Sequence, residues 1–414
     1  MGEVSFVGVD WATKKHDVCV VDSTGENPTW GTFTHSPEGL DELCSWIRER
    51  AGQRETRVAT ERAAGALVEA LMDRGFAVHT INPKQLDRFR DRFTTAGVKD
   101  DRLDARVLAD SLRTDPRAFR QLTRDSAAIE ELRQLNRGYE DVVGHVTCLL
   151  NQVSELVASY FPQAAVLLQN QTEWGLAVLE KFPTPAHVKV GTARRSILTI
   201  MKAYGARKNV GELVEQLRGP GFSVSPAYVK GASQRLLHLV RLLQLAVRQR
   251  NEMRAAVEAR LGAMAEDDEP GQVGEQRDVA IVLSFPGIGT IGAATLLTEA
   301  GGAIQRRDCT ALRAVSGVAP VTARSGKSIA VHMRYARNKR LGNACFHWAR
   351  GAVLASPYWR AQYAKRRAEG KPRAHALRCL ADRLIRRLMA MLRDGTTYDP
   401  AREPAVETPP EAAA

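Results

Sequence analysis

No apolar run in the chain reaches roughly 18 residues, the length a membrane-spanning helix needs. The first residues, MGEVSFVGVDWATKKHD, lack the basic start, long apolar core and small-residue cleavage site of a secretory signal. The expectation is a cytoplasmic protein with no membrane partner. Cysteine is sparse: six in 414 residues, at 19, 44, 148, 309, 345 and 379, with no two in a CxxC pair. That spacing argues against a zinc ribbon or a disulfide framework and leaves free thiols in a reducing compartment. Acids are almost missing from one stretch. Between Arg334 and Arg387 there are two, Glu369 and Asp382, against fifteen lysines and arginines. The formal net charge of +12 is therefore concentrated there, and the rest of the chain is close to neutral. Tyr335, Phe346, Trp348, Tyr358, Trp359 and Tyr363 are interleaved with those cations. A solubilising surface carries both signs, whereas a one-sign region with aromatics reads as a nucleic-acid surface.

What is present is ordinary globular composition, 44% hydrophobic and 26% charged over 414 residues, enough for two or three domains. The fold class expected is α/β plus all-α. VSFVGVD and HDVCVVD read as a strand pair, TWGTFTH as a third strand, TRVATE as a fourth and FAVHTIN as a fifth. Ser36-Pro37 opens a helix, as does Pro83, and a glycine closes the helix GALVEALMDRG. Antiparallel strands followed by βα units predict a mixed sheet with helices packed on it over residues 1–118. Residues 119–276 read as a helical, coiled-coil-like region. Two long helices, about 126–159 and 226–264, flank short helices broken by proline and glycine. Residues 265–276 are a polar linker, 277–395 a C-terminal helical domain, and 396–414 a Pro-, Ala- and Glu-rich tail expected to be disordered.

Against this basic background VKDDRLDARVLAD, residues 98–110, holds four aspartates. A charge run is most often a solvated helix face. Here, however, Asp101 and Asp104 are three apart and share a face with each other, among Leu103, Val107 and Leu108. Asp10 ends the first strand and Glu61 the fourth, at the sheet edge where sites in open α/β sheets form. Four converging carboxylates need cations, and Mg²⁺ or Mn²⁺ would suit them. A pair of such ions clamps the oxygens of a phosphodiester.

Two further motifs lie in the last third. LSFPGIGTIGAATLL places Gly287 and Gly289 between two apolar runs. This is the pattern of a helix-hairpin-helix, whose turn offers backbone N–H groups to a phosphate. An ordinary helix–turn–helix corner has the same pattern. Ser325 lies in ARSGKS between Arg324 and Gly326, with Lys327 following. A serine among cations could attack a phosphate; a plain turn residue looks the same in isolation. Arg334, Arg337, Lys339 and Arg340, in RYARNKR, extend the cationic surface.

Together these motifs resemble the DEDD-type insertion-sequence transposases related to the Piv DNA invertase, also described as bridge-RNA-guided recombinases. The resemblance rests on GVDWATKKHDVCVVD, VATERAAG and KDDRLDARVLA near the start, and on PGIGTIGAATLLTEAG, GVAP, RSGKS and RYARNKRLGNACFHWA near the end. Asp100 stands where that family usually has Thr. The resemblance implies a RuvC-like domain of RNase H fold with Asp10, Glu61, Asp101 and Asp104 as metal ligands. It implies Ser325 as nucleophile, with Ser316 ranked below it because it precedes GVAP. It also implies a covalent serine–DNA intermediate, an element-encoded guide RNA, and a dimer or dimer of dimers in which acids and serine come from different subunits. Three rivals stand beside it: a RuvC-like metal-dependent nuclease that hydrolyses with water, a non-catalytic DNA-binding protein, and a sugar-kinase-like ATPase.

Overall fold

The computed structural model of the chain describes residues 4–52, 54–93, 101–266, 274–325 and 328–404. It divides into two compact units, Met1–Arg124 and Asp125–Ala414.

The first unit is a mixed sheet with helices on both faces. Its strands are β1 (Val4–Trp11), β2 (Lys15–Val21), β3 (Thr29–Thr34), β4 (Glu55–Thr60), β5 (Ala77–Thr80) and the two-residue β6 (Arg120–Gln121). They lie in the order β3-β2-β1-β4-β5-β6. The outer pairs are antiparallel and β1-β4-β5 are parallel. The helices are α1 (Pro37–Ala51), α2 (Ala66–Asp73), α3 (Pro83–Arg90) and α4 (Asp101–Thr114). Ser36 caps α1, its side chain accepting from the Gly39 amide at 3.1 Å, and Asn82 caps α3 in the same way through Lys84.

Strand alternation divides the core. Val7, Val9, Val18, Val20 and Val58 face one side with Leu43, Ile47 and Leu71 of α1 and α2. Phe6, Cys19, Val21 and Ala59 face the other with Ala105, Leu108, Ala109 and Leu112 of α4. At the centre of that second face sits Gly8, opposite Cys19 on β2 and Ala59 on β4. A Cβ at Gly8 would lie 1.9 Å from the Ala105 carbonyl oxygen and 2.6 Å from the Ala109 amide nitrogen. Helix backbone thus lies on strand backbone, an approach only glycine permits.

The second unit is helical with one small sheet. The long helices α5 (Ala127–Tyr160) and α11 (Pro226–Glu266) bracket five short ones, α6 to α10, between Ala165 and Arg218. The distal halves of the long helices close over the short ones around Val153, Phe161, Leu176, Ile197, Leu236 and Leu243. Their proximal ends share a core with α12 (Glu275–Leu283), α13 (Gly289–Gln305), α14 (Cys309–Val315), α15 (Lys339–Ala355), α16 (Pro357–Ala368) and α17 (Arg373–Asp394). The long helices and the C-terminal helices therefore belong to one unit.

Two features correct the sequence reading. The C-terminal part is not all helix: β7 (Val321–Ser325) and β8 (Ser328–His332) form an antiparallel hairpin in register Ser325↔Ser328. The tail is docked as far as residue 404. The Tyr398 amide donates to Ser284 Oγ at 2.8 Å, and the Tyr398 ring packs 4.6 Å from Phe285. The aromatic contact, with Arg277 donating to the Gly395 carbonyl at 3.0 and 2.8 Å, ties this segment down despite its composition. The rest of the expected disordered tail, 405–414, lies outside the described residues.

Replacing Gly8 with Ala forces strand and helix apart. A loss of about 1–3 kcal/mol or more is expected from such overpacking, read as a lower urea midpoint. A midpoint equal to wild type would contradict the close packing described here.

Candidate active site

Asp10 is two residues past Gly8 on β1 and so projects toward the same face. Asp101 and Asp104 occupy the first turn of α4, where the positive end of the helix dipole favours acids. Asp104 is buried. Glu61 follows the last residue of β4, one step beyond the pair Val9↔Thr60. The Gly8 contact thus brings α4 down onto the sheet edge where Asp10 and Glu61 emerge.

The electrostatics register this crowding. Burial first, then Asp104, Asp101, Glu61 and Asp17 around it, push the Asp10 carboxyl up to about 7. Nearby cations neutralise part of the cluster. Arg90 Nε of α3 donates to Asp104 Oδ1 at 2.7 Å, and its other arm reaches Asp87 at 3.1 Å. Lys15 Nζ lies 3.2 Å from Asp17 and 3.7 Å from Asp101.

Asp17 is a member of this group that sequence reasoning missed. It pairs with Asp10 across β1 and β2, is buried, and accepts from Thr32 Oγ1 at 2.5 Å. The signal was available: Asp17, Cys19 and Val21 alternate onto the α4 face just as Gly8 and Asp10 do.

Among the described residues, no three acids, histidines or cysteines close tightly enough to enclose a metal ion. The donors nonetheless fit one chemically. All are carboxylate oxygens, the hard ligands that Mg²⁺ or Mn²⁺ takes, and burial together with the neighbouring acids raises the Asp10 carboxyl.

In the second unit Ser325 ends β7 and is exposed, as is Arg324 beside it. Lys327 lies outside the described residues. Ser316 is fully buried, its hydroxyl donating to the Arg313 carbonyl at 3.3 Å. Gly287 and Gly289 lie in and just after the turn joining α12 to α13, both with positive φ. A Cβ at Gly287 would sit 2.1 Å from the Gly351 carbonyl carbon of α15, whereas Gly289 has open space around it. Gly287 thus answers to packing inside the unit. Arg340 pairs with Glu140 and with Asp141, the latter at 3.2 Å. Arg334, Arg337 and Lys339 lie between β8 and the start of α15 and have no acidic partner among the described residues. No helix among the described residues is long and apolar enough to cross a membrane.

Paired carboxylates at a sheet edge and a cationic helical unit are the equipment of an enzyme that acts on a nucleic-acid backbone. Comparison with known proteins agrees. A family model described as "Transposase" matches residues 7–162, and one described as "Transposase IS116/IS110/IS902 family" matches residues 279–364. The "Mini-circle putative transposase for IS117" of Streptomyces coelicolor is 33% identical over 410 residues, covering 96% of each chain. The "Putative transposase y4uE" of Sinorhizobium fredii is 44% identical over 185 residues, 44% of this chain and 51% of that one. The "Insertion element IS900 uncharacterized 42 kDa protein" of Mycobacterium paratuberculosis is 27% identical over 97% of this chain and 98% of its own length. The chain belongs to the IS110/IS116 family of DEDD transposases, enzymes that cut and join the DNA of mobile elements.

The Asp10 carboxyl yields a pH test. Its native value is about 7 against an ordinary 3.8, so the native state holds the proton more tightly than the unfolded state does. Metal-free stability is then lost as pH rises from about 4 to 7, and the deficit is full above that. Asp10→Asn is expected to melt a few degrees higher than wild type in EDTA at pH 8 and no higher at pH 3.5. Mg²⁺ should raise the wild-type melting temperature at pH 8 and raise that of Asp10→Asn less. Equal melting curves at both pH values would contradict the crowding of these acids.

Proposed function

We propose that the protein cuts and rejoins the DNA strands of its mobile element through Ser325. In this reading the first unit is a RuvC-like domain of RNase H fold, with Asp10, Glu61, Asp101 and Asp104 as its metal ligands. The observation that carries it is the convergence of those acids on Asp10, in a chain whose other unit presents an exposed serine within a cationic surface.

Bound Mg²⁺ would supply Lewis-acid stabilisation of charge on phosphate oxygens. The remaining chemistry falls to the chain. Ser325 Oγ gives up its proton and bonds to a DNA phosphorus as the bond from phosphorus to a strand oxygen breaks. That oxygen leaves as a hydroxyl, taking up a proton. One phosphoester replaces another, so a strand hydroxyl can later attack the serine ester and restore Ser325 without ATP. Arg324 and Lys327 flank the reacting phosphate. Arg334, Arg337, Lys339 and Arg340 hold backbone phosphates, and Gly289 leaves the α12–α13 turn open to one more, in the manner of a helix-hairpin-helix. Gly287 holds that turn in shape.

The same reading gives the enzyme a homo-oligomeric state, dimer or dimer of dimers, so that acids and serine of different copies meet on DNA. It also gives the enzyme an element-encoded RNA that selects donor and target by base pairing. Its place is the bacterial cytoplasm, at the nucleoid. These parts, and the kinship with the Piv invertase, are supported by the motif resemblance alone.

Covalent trapping tests the reaction. Protein, Mg²⁺, the DNA flanking its gene and RNA transcribed from that flank are incubated and denatured. A protein–DNA adduct is expected with wild type and with neither Ser325→Ala nor Asp104→Ala. Cleavage without an adduct, unchanged in Ser325→Ala, would establish a hydrolytic nuclease instead.

A further inference from the structure

At the foot of the β7–β8 hairpin is a cavity of about 180 Å³. Its apolar walls include Val318, Met333 and Phe346, and its polar groups include Asn343, Arg337 and Arg378. Met333 is the first residue past β8, so the cavity adjoins the hairpin that carries Ser325.

Several arginines of this unit are matched with acids: Arg307 with Asp278 at 2.6 Å, Arg313 with Asp382 at 2.5 Å, Arg366 with Glu369 at 2.9 Å. Among the described residues Arg337 and Arg378 have no such partner, and Arg334 Nε is buried without a hydrogen bond. Half-buried cations left unmatched are costly unless a ligand completes them. Arg337 is also held in place. Its side chain runs over Gly317 and Gly342, where a Cβ would come within 2.2 Å of its Cδ and 3.2 Å of its Cζ respectively. A cation fixed against two glycines and left without an acid is preorganised for an anion.

A bare phosphate needs the cations but has no use for an apolar hollow. A nucleotide needs both. The cavity is smaller than the roughly 300 Å³ at which pockets for drug-sized ligands begin, which suits one planar base. An exposed Phe346 and an exposed Asn343 at its mouth supply a stacking face and an amide for a base edge.

We infer that this cavity receives one nucleotide unstacked from a DNA strand, its base in the apolar hollow and its phosphate on Arg337 and Arg378. The inference rests on the nucleic-acid reading of this unit and adds a nucleotide site to it. DNA is the source because the adjoining hairpin carries the serine proposed to attack a DNA phosphodiester. Ser325 stands at the other end of that hairpin, four residues along β7 or about 13 Å from this foot, so a nucleotide held here would anchor the strand to be attacked rather than sit at the serine itself.

The test measures binding by the full-length protein. At fixed salt, fluorescence anisotropy compares a short single-stranded deoxyadenylate with a strand of equal length carrying tetrahydrofuran spacers in place of bases, and with the matching RNA. Bases are expected to improve wild-type affinity about tenfold over the abasic strand. Two exposed positions are altered: Ala374→Trp fills the cavity and Phe346→Ala removes the stacking face. Each should erase most of the advantage and leave abasic binding intact. Arg378→Gln should weaken both DNA strands alike. Equal wild-type affinity for the two strands, or an advantage that survives both Ala374→Trp and Phe346→Ala, would overturn the site. RNA binding about tenfold tighter than DNA would overturn its assignment to DNA. Ser325→Ala should keep the full advantage, so failure of covalent trapping and failure of this site are read separately.

Discussion

Helix α4 lies against strand β1 with only a hydrogen atom of Gly8 between their backbones, and the acidic site depends on that contact. Any side chain at Gly8 would meet the Ala105 carbonyl oxygen, the Ala109 amide and Leu108 Cβ at less than 3 Å. The contact does two things at once. It completes the core beneath the sheet, where Leu108 and Leu112 are fully buried. It also fixes how far the first turn of α4 stands from the end of β1, and so how closely Asp101 and Asp104 approach Asp10. Packing energy offsets the repulsion among carboxylates, which would otherwise drive the helix away. Arg90 and Lys15 relieve part of that repulsion in the metal-free protein. They are also the groups a metal ion must displace or share acids with, so the cluster is built to prefer cations of some kind.

The second unit uses charge differently. Some of its arginines are matched with acids, as Arg313 of α14 is with Asp382 of α17, while others near the β7–β8 hairpin are left open. Arg340 stands between the two uses, tied to Glu140 and Asp141 of α5 at the edge of the open set. Arg334, Arg337 and Arg378 show the second. Net charge alone does not separate the two uses; the positions of Asp382, Asp278 and Glu369 do. The hairpin itself exposes Ile329 and Val331, and a two-stranded element of this size gains little stability alone.

Much of this was legible in the sequence for simple reasons. The strands of the first unit alternate cleanly, and Ser36-Pro37 and Asn82-Pro83 are helix starts whose caps are present as hydrogen bonds. The two long helices carried unbroken periodicity. The four acids were placed by strand ends and by the three-residue spacing on α4. What escaped depended on contacts between distant segments. Asp17 joins the cluster through its register with Asp10, and Gly8 reveals its role only once α4 is packed over it. The β7–β8 hairpin was hidden because its strands are only five residues long. Tyr398 sits in a Pro- and Glu-rich tail, yet its ring is held by Phe285. That Gly287 also packs against Gly351 could not be read from its motif.

Diffraction from crystals grown with Mn²⁺, recorded at the manganese absorption edge, tests the central claim most directly. The account predicts an anomalous peak bounded by the carboxylates of Asp10 and Asp104, with Arg90 moved away from Asp104. A well-ordered structure in saturating Mn²⁺ with no peak there, and with the Arg90–Asp104 pair intact, would contradict it.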